Sequence, residues 1–150
     1  MKIAILSCFY PYRGGISQFN ACLYGELSKS NVVRAFNFKR QYPEFLFPGK
    51  TQFVTDDDEA VPVESTSLRD TADPFSYVST YRAIRDWEPD VLIVRYWMSY
   101  FAPSLGYITR RMKKHCKVIS ILDNVIPHEP HFFDAPFTKY FLEGSSGCVT

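Results

Sequence analysis

Three stretches of this chain carry residue types that can do chemistry. The first is Arg13-Gly14-Gly15, reached from the apolar run Ile3-Ala4-Ile5-Leu6 through Ser7-Cys8-Phe9-Tyr10-Pro11-Tyr12. A glycine pair lets a ligand approach the main chain without meeting a side chain. The N–H groups that open a following helix then present partial positive charge to anything anionic. A bare Gly-Gly pair is also an ordinary tight turn; its place after a buried strand, where open α/β sheets bind their ligands, favours the binding role. The second stretch is Asp123-Asn124-Val125-Ile126-Pro127-His128-Glu129, directly after Val118-Ile119-Ser120-Ile121-Leu122. Asp123 and His128 are the candidate catalytic groups, with Asn124 and Glu129 beside them and prolines fixing the backbone. The alternative has Asp123 and Asn124 merely capping the loop and His128 on the surface. The third, Arg95-Tyr96-Trp97-Met98-Ser99-Tyr100-Phe101, reads as an aromatic loop on the same sheet edge, and Arg95, Tyr96 and Trp97 join the candidate binding residues.

The elements that must position these groups follow from hydrophobic pattern. Residues 3–6, 91–94 and 118–122 are apolar runs without clean alternation, as in strands buried on both faces of a parallel sheet. Ile16, Phe19, Leu23 and Leu27 recur at helical spacing, with Ser17 or Gly15 as the helix start. Residues 32–38 read as a second strand. Residues 41–70 read as irregular, with short strands around Phe53 and residues 61–63. Asp73-Pro74 is an N-cap followed by proline at the first helical position, for a helix to about Asp86 with Phe75, Val78, Tyr81 and Ile84 inward. A helix opening near Pro103 carries Leu105, Ile108 and Met112 inward, a short one covers 136–143, and Gly147-Cys148-Val149-Thr150 begins another strand. The fold class is α/β, a Rossmann-like open parallel sheet flanked by helices, in one domain over residues 1–150.

Bulk properties narrow the function. The formal charge is +1, which gives no strong nucleic-acid signal. The four cysteines are far apart, without metal-ligand spacing, and read as reduced, mostly buried thiols. Asp56-Asp57-Asp58-Glu59 reads as a solvated loop rather than a metal site. No leader and no apolar run of roughly 18 residues is present, so a soluble cytoplasmic protein is expected. Arg110-Arg111-Met112-Lys113-Lys114-His115 is a basic helix end that its dipole favours and that could also meet an anionic membrane at the inner face. Aromatic residues make up 17 %, and those in loops hint at a binding surface. A nicotinamide-binding fold would place Asp or Glu after the second strand, where this chain has Lys39-Arg40, and would carry G-x-G-x-x-G, which the first loop lacks.

Taken together, Met1-Lys2-Ile3-Ala4-Ile5-Leu6 leading to Tyr10-Pro11-Tyr12-Arg13-Gly14-Gly15-Ile16, then Pro89-Asp90-Val91-Leu92-Ile93-Val94, then Asp123-Asn124-Val125-Ile126-Pro127-His128-Glu129 resembles the N-terminal half of GT-B glycosyltransferases of family 4. The resemblance spans essentially the whole chain. It implies two facing Rossmann-like domains, and transfer of a sugar from a nucleotide sugar to a glycan or lipid-linked acceptor with retention at the anomeric carbon. It further implies no metal ion and no cofactor, the nucleotide sugar entering as substrate. Gly14 and Gly15 match the family's glycine loop, and residues 124–129 match the loop facing the donor sugar. Many relatives have His-Asn where this chain has Asp123-Asn124, so the histidine's role would fall to Asp123 or be lost, with His128 a second candidate. The nucleotide-holding C-terminal domain lies outside the chain, so the fragment is expected to be inactive alone and to self-associate through its open cleft face. The alternatives are a non-catalytic sugar- or phosphate-binding module and, less favoured, an NAD-dependent oxidoreductase.

Overall fold

The apolar runs become adjacent parallel strands. In the computed structural model, which describes residues 1–42, 51–55, 58, 60–125 and 131–150, the elements alternate along the chain. They are β1 (Lys2–Leu6), α1 (Gly15–Ser28), β2 (Val32–Arg40), β3 (Ser65–Asp70), α2 (Pro74–Trp87), β4 (Val91–Tyr96), a 3₁₀ turn (Ser99–Phe101), α3 (Ala102–Met112), β5 (Lys117–Leu122), α4 (Asp134–Leu142) and β6 (Gly147–Val149). All six strands pair in parallel in the order β3-β2-β1-β4-β5-β6. The chain therefore leaves β1 in one direction and resumes at β4 on its other side. This is the switch point outside which such sheets bind ligands.

Alternation along β1 sorts the core into two layers. Ala4 and Leu6 join Phe36, Leu92, Val94 and the inward residues of α2, α3 and α4, whereas Ile3 and Ile5 pack with Ala35, Leu23, Tyr24 and Leu27 under α1. The expected start of α2 is present: Asp73 accepts a hydrogen bond from Phe75 N at 3.0 Å, and Pro74 follows. Leu105, Ile108 and Met112 of α3 are buried as their spacing requires.

Several expectations are corrected. β3 lies at 65–70, not at 61–63, and Phe53 makes only an isolated bridge to Tyr12. The polar string Ser-Thr-Ser-Leu-Arg-Asp is a strand because β2 offers it a free edge, not because of its own propensity. Phe19 and Phe75 point outward, 49 % and 84 % exposed, while α1 buries Ser17, Asn20 and Ala21 and α2 buries Ser76, Thr80 and Ile84. Small and amide side chains take the inner faces because they satisfy backbone groups there: Ser76 Oγ, for instance, accepts from Asp70 N and donates to Asp70 O. Arg95 and Tyr96 belong to β4, not to a loop. Of the thiols, Cys8 is buried and Cys116 half-buried, but Cys22 on the outer side of α1 and Cys148 on the edge strand β6 are exposed. Among the described residues no helix is long and apolar enough to cross a membrane.

Candidate functional site

The loop that leaves β1 is held by a buried amide. Asn37, fully buried in β2, accepts from Phe9 N at 3.0 Å and donates to Tyr10 O at 2.9 Å. A second strap comes from the connection between β2 and β3, whose Val54 N donates to Pro11 O at 2.8 Å while Arg13 N donates to Gln52 O at 3.1 Å. Arg13 pairs with Asp58 at 3.1 Å. Asp58 also accepts from Thr55 N, and that bond first, then the Thr55 hydroxyl, hold its carboxyl below the usual range. Asp58 is thus a loop tie; the remaining acidic-run residues, Asp56, Asp57 and Glu59, lie outside the described residues. Among the described residues no cluster of metal-ligating side chains forms.

The two glycines serve different ends. Gly14 precedes α1 with φ 110° and ψ 169°, a conformation essentially reserved to glycine. It caps the helix with no side-chain bond, and the first turn carries no carboxylate, so neither Ser17 nor Gly15 is the cap. Gly15 has an ordinary backbone, and a Cβ placed on it would meet nothing within 4 Å among the described residues. Gly14 is there for the backbone, whereas Gly15 leaves the space above the turn open. Gly14→Ala is therefore expected to lower stability by about 1–3 kcal/mol, and Gly15→Ala to leave it unchanged or raise it slightly. Urea midpoints check this; equal losses at both positions would contradict the division of roles.

Beside this turn a polar network crosses the switch point. Asn20, 1 % exposed on α1, donates through Nδ2 to Ser7 Oγ and Cys8 O, both at 2.8 Å, and so ties the helix to the end of β1. Its Oδ1 accepts from Arg95 Nη1 at 3.3 Å. Arg95, its side chain 9 % exposed, forms a two-pronged pair with Asp123: Nε donates to Oδ2 at 2.6 Å and Nη2 donates to Oδ1. The guanidinium also lies 4.2 Å from the centre of the Phe19 ring, which explains why that phenylalanine faces outward. Asp123 N continues the strand ladder by donating to Tyr96 O at 3.0 Å. The carboxylate, its side chain 28 % exposed, is thereby held by both backbone and side chain at the rim. Burial pushes the Cys8 thiol up to about 12, so it is a protonated core group.

The sequence candidates thus divide. Arg95 and Asp123 come together; Gly14, Gly15 and Arg13 lie at the adjoining turn; Asn124 is exposed next to Asp123. His128 and Glu129 lie outside the described residues. Tyr96 is corrected to a core residue: fully buried, it shares a 2.7 Å hydrogen bond with Thr138 and stacks on Phe141. Trp97 is half-buried and donates to the Tyr42 hydroxyl at 3.3 Å. The loop aromatics take part in packing: Trp97, Phe101 and Tyr12 surround Phe38, and Arg69 lies 3.6 Å from the centre of its ring. Asn20, Asn37 and Phe19 were not among the sequence candidates. The available signal was an amide inside a buried segment, as in Ala35-Phe36-Asn37-Phe38. Compared with family models and with curated proteins, the chain matches none.

Proposed function

We propose that this chain is the acceptor-side half of a retaining glycosyltransferase of the GT-B kind, which takes a sugar from a nucleotide sugar and passes it to a hydroxyl acceptor. The observation that carries the reading is the Asn20–Arg95–Asp123 network at the switch point, next to a glycine turn with open space above it. In a retaining transfer the anomeric C–O bond to phosphate breaks, positive charge builds on the sugar, and the acceptor oxygen bonds the same face while its proton passes to the departing phosphate oxygen. A carboxylate fixed in advance by a two-pronged arginine supplies negative potential without reorganising. Asp123 is that group in this reading; it also accepts sugar hydroxyls, and His128 positions donor or acceptor. The end of β2 speaks against the dinucleotide alternative: Lys39 and Arg40 stand where that fold has an acidic residue, and Arg40 is paired with Asp70 at 2.9 Å.

Amide chemical shifts of the isotope-labelled chain test the reading. Monosaccharides and disaccharides are expected to shift Gly14, Gly15, Asn20, Arg95 and Asp123, and the chain alone to release no nucleotide from nucleotide sugars. Response to NAD with none to saccharides would overturn it. Catalysis is separated from simple sugar binding in a longer protein that joins this chain to a nucleotide-binding second half: transfer, with kcat lowered about 10²-fold by Asp123→Asn, supports an enzyme. Binding without transfer there makes the chain a sugar-binding module.

A further inference from the structure

The turn that opens α4 stands on the same sheet edge as Asp123. β5 ends at Leu122 and β6 runs parallel to it, so α4 returns between them and begins at the carboxyl ends of the strands. Tyr96 ties the two places together: its carbonyl accepts from Asp123 N at 3.0 Å, and its hydroxyl shares the 2.7 Å bond with Thr138 of α4. On this turn Phe132 is 94 % exposed, its ring edge-on to that of Phe133 with centres 5.4 Å apart. His131, largely exposed, stacks on Phe133 with centres 5.1 Å apart and planes 14° apart. The turn is held from beneath. Asp134, 5 % exposed, accepts from His131 N at 2.6 Å and from the Ser99 hydroxyl, and its Oδ2 lies 3.5 Å from His131 Nδ1. A lone exposed ring is ordinary on a protein surface; here it adjoins an imidazole fixed by a buried carboxylate, beside the candidate site.

We propose that His131 and Phe132 form a subsite for the acceptor and that it takes a neutral pyranose unit of a glycan, not a phosphate. The inference rests on the sugar-transfer reading and names its acceptor class. The C–H groups on one face of a pyranose are weakly positive and settle on the negative face of the Phe132 ring. The carboxylate facing Nδ1 favours the proton there and leaves Nε2 to accept from a sugar hydroxyl. Charge decides against a phosphate. Asp134 neutralises His131 whenever the ring is protonated, and among the described residues no lysine or arginine lies over the rings of residues 131–133. Phosphate recognition uses the uncompensated charge or the fork of donors that this turn lacks. His131 and Phe132 precede α4 in the helix layer, whereas Asp123 is at the sheet rim, so the subsite reads a part of the acceptor remote from the reacting hydroxyl.

Titration of the isotope-labelled chain with maltose, cellobiose and lactose tests it, with glucose 1-phosphate as the charged probe. At least one disaccharide is expected to shift the amides of His131 and Phe132 together with those of Gly14 and Asp123, and glucose 1-phosphate to leave His131 and Phe132 unmoved. Phe132→Ala is expected to weaken disaccharide binding about tenfold, with an unaltered circular dichroism spectrum because the ring is exposed. His131→Ala is expected to weaken it about fivefold, and His131→Gln, which keeps a hydrogen-bond acceptor, to recover part of the loss. Disaccharide shifts at Gly14 and Asp123 that leave Phe132 still, with affinity unchanged in Phe132→Ala, overturn the subsite and leave the transfer reading standing. Shifts at His131 and Phe132 with none at Gly14 and Asp123 support the sugar subsite and count against the transfer reading. A response at Phe132 to glucose 1-phosphate alone overturns the neutral-sugar assignment. So does silence at Phe132 towards every probe, and transfer by the longer protein then decides the other reading by itself.

Discussion

Phe38→Ala is expected to cost about 3–5 kcal/mol of stability, the range for removing a buried aromatic ring. The residue is 1 % exposed and its ring meets Tyr12, Phe101 and Trp97 at centre distances of 6.1, 5.4 and 6.0 Å. It also faces the Arg69 guanidinium, which is buried without an acidic partner among the described residues. Arg69 Nη1 donates to Ser104 Oγ at 3.1 Å and Nε finds no partner among the described residues, and burial pulls the group down to about 9. The π face of Phe38 is thus a principal compensation for a cation held out of water. A domain of this size has on the order of 5–15 kcal/mol in all, so the alanine variant loses roughly a fifth or more. Phe38→Leu, which restores much of the volume but no π face, is expected to fall between wild type and alanine. Urea unfolding decides; an alanine variant within about 1 kcal/mol of wild type would show that the cluster is not the anchor of this edge.

The second large effect concerns the Arg95–Asp123 pair, and it is asymmetric. Asp123→Asn leaves the guanidinium of Arg95, its side chain 9 % exposed, with a neutral amide in place of its carboxylate. Removing one member of a fully buried pair costs roughly 3–5 kcal/mol. Because Asp123 is at the rim with its side chain 28 % exposed, water replaces part of the interaction, and about 2 kcal/mol is expected. Arg95→Met strands the carboxylate instead, which water reaches directly, and its methylene stem is retained as packing. It is expected to cost less. Urea midpoints for the two variants and the double variant give both the order and the coupling. Arg95→Met costing more than Asp123→Asn would mean that the contacts of the arginine with Phe19 and with Asn20 Oδ1 outweigh its pairing with the carboxylate.

What local physics dictates was legible in the sequence. β1, β4 and β5 are runs of apolar residues that no surface position would tolerate, and the start of α2 is written in Asp73-Pro74, whose bonds close within three residues. The glycine turn was legible for the same reason, since φ 110° at Gly14 is a property of the residue itself. The same sequence was silent on β3, because Ser65-Thr66-Ser67 becomes strand only when the edge of β2 supplies hydrogen-bond partners.

Helix orientation was decided at the tertiary level too. Hydrophobic spacing put Phe19 inside, but the ends of β1 present Ser7 Oγ and Cys8 O, which need donors, and Asn20 supplies them. Turning the helix to bury Asn20 leaves Phe19 at the surface, where Arg95 covers it. An unsatisfied buried polar group costs more than one exposed ring. Arg95 and Asp123 could each be singled out by residue type, yet their partnership depends on β4 and β5 pairing in a register that sets Tyr96 against Leu122. That register joins residues 28 positions apart, and no local pattern encodes it: only the assembled sheet brings the fork of one strand to the carboxylate that follows the next.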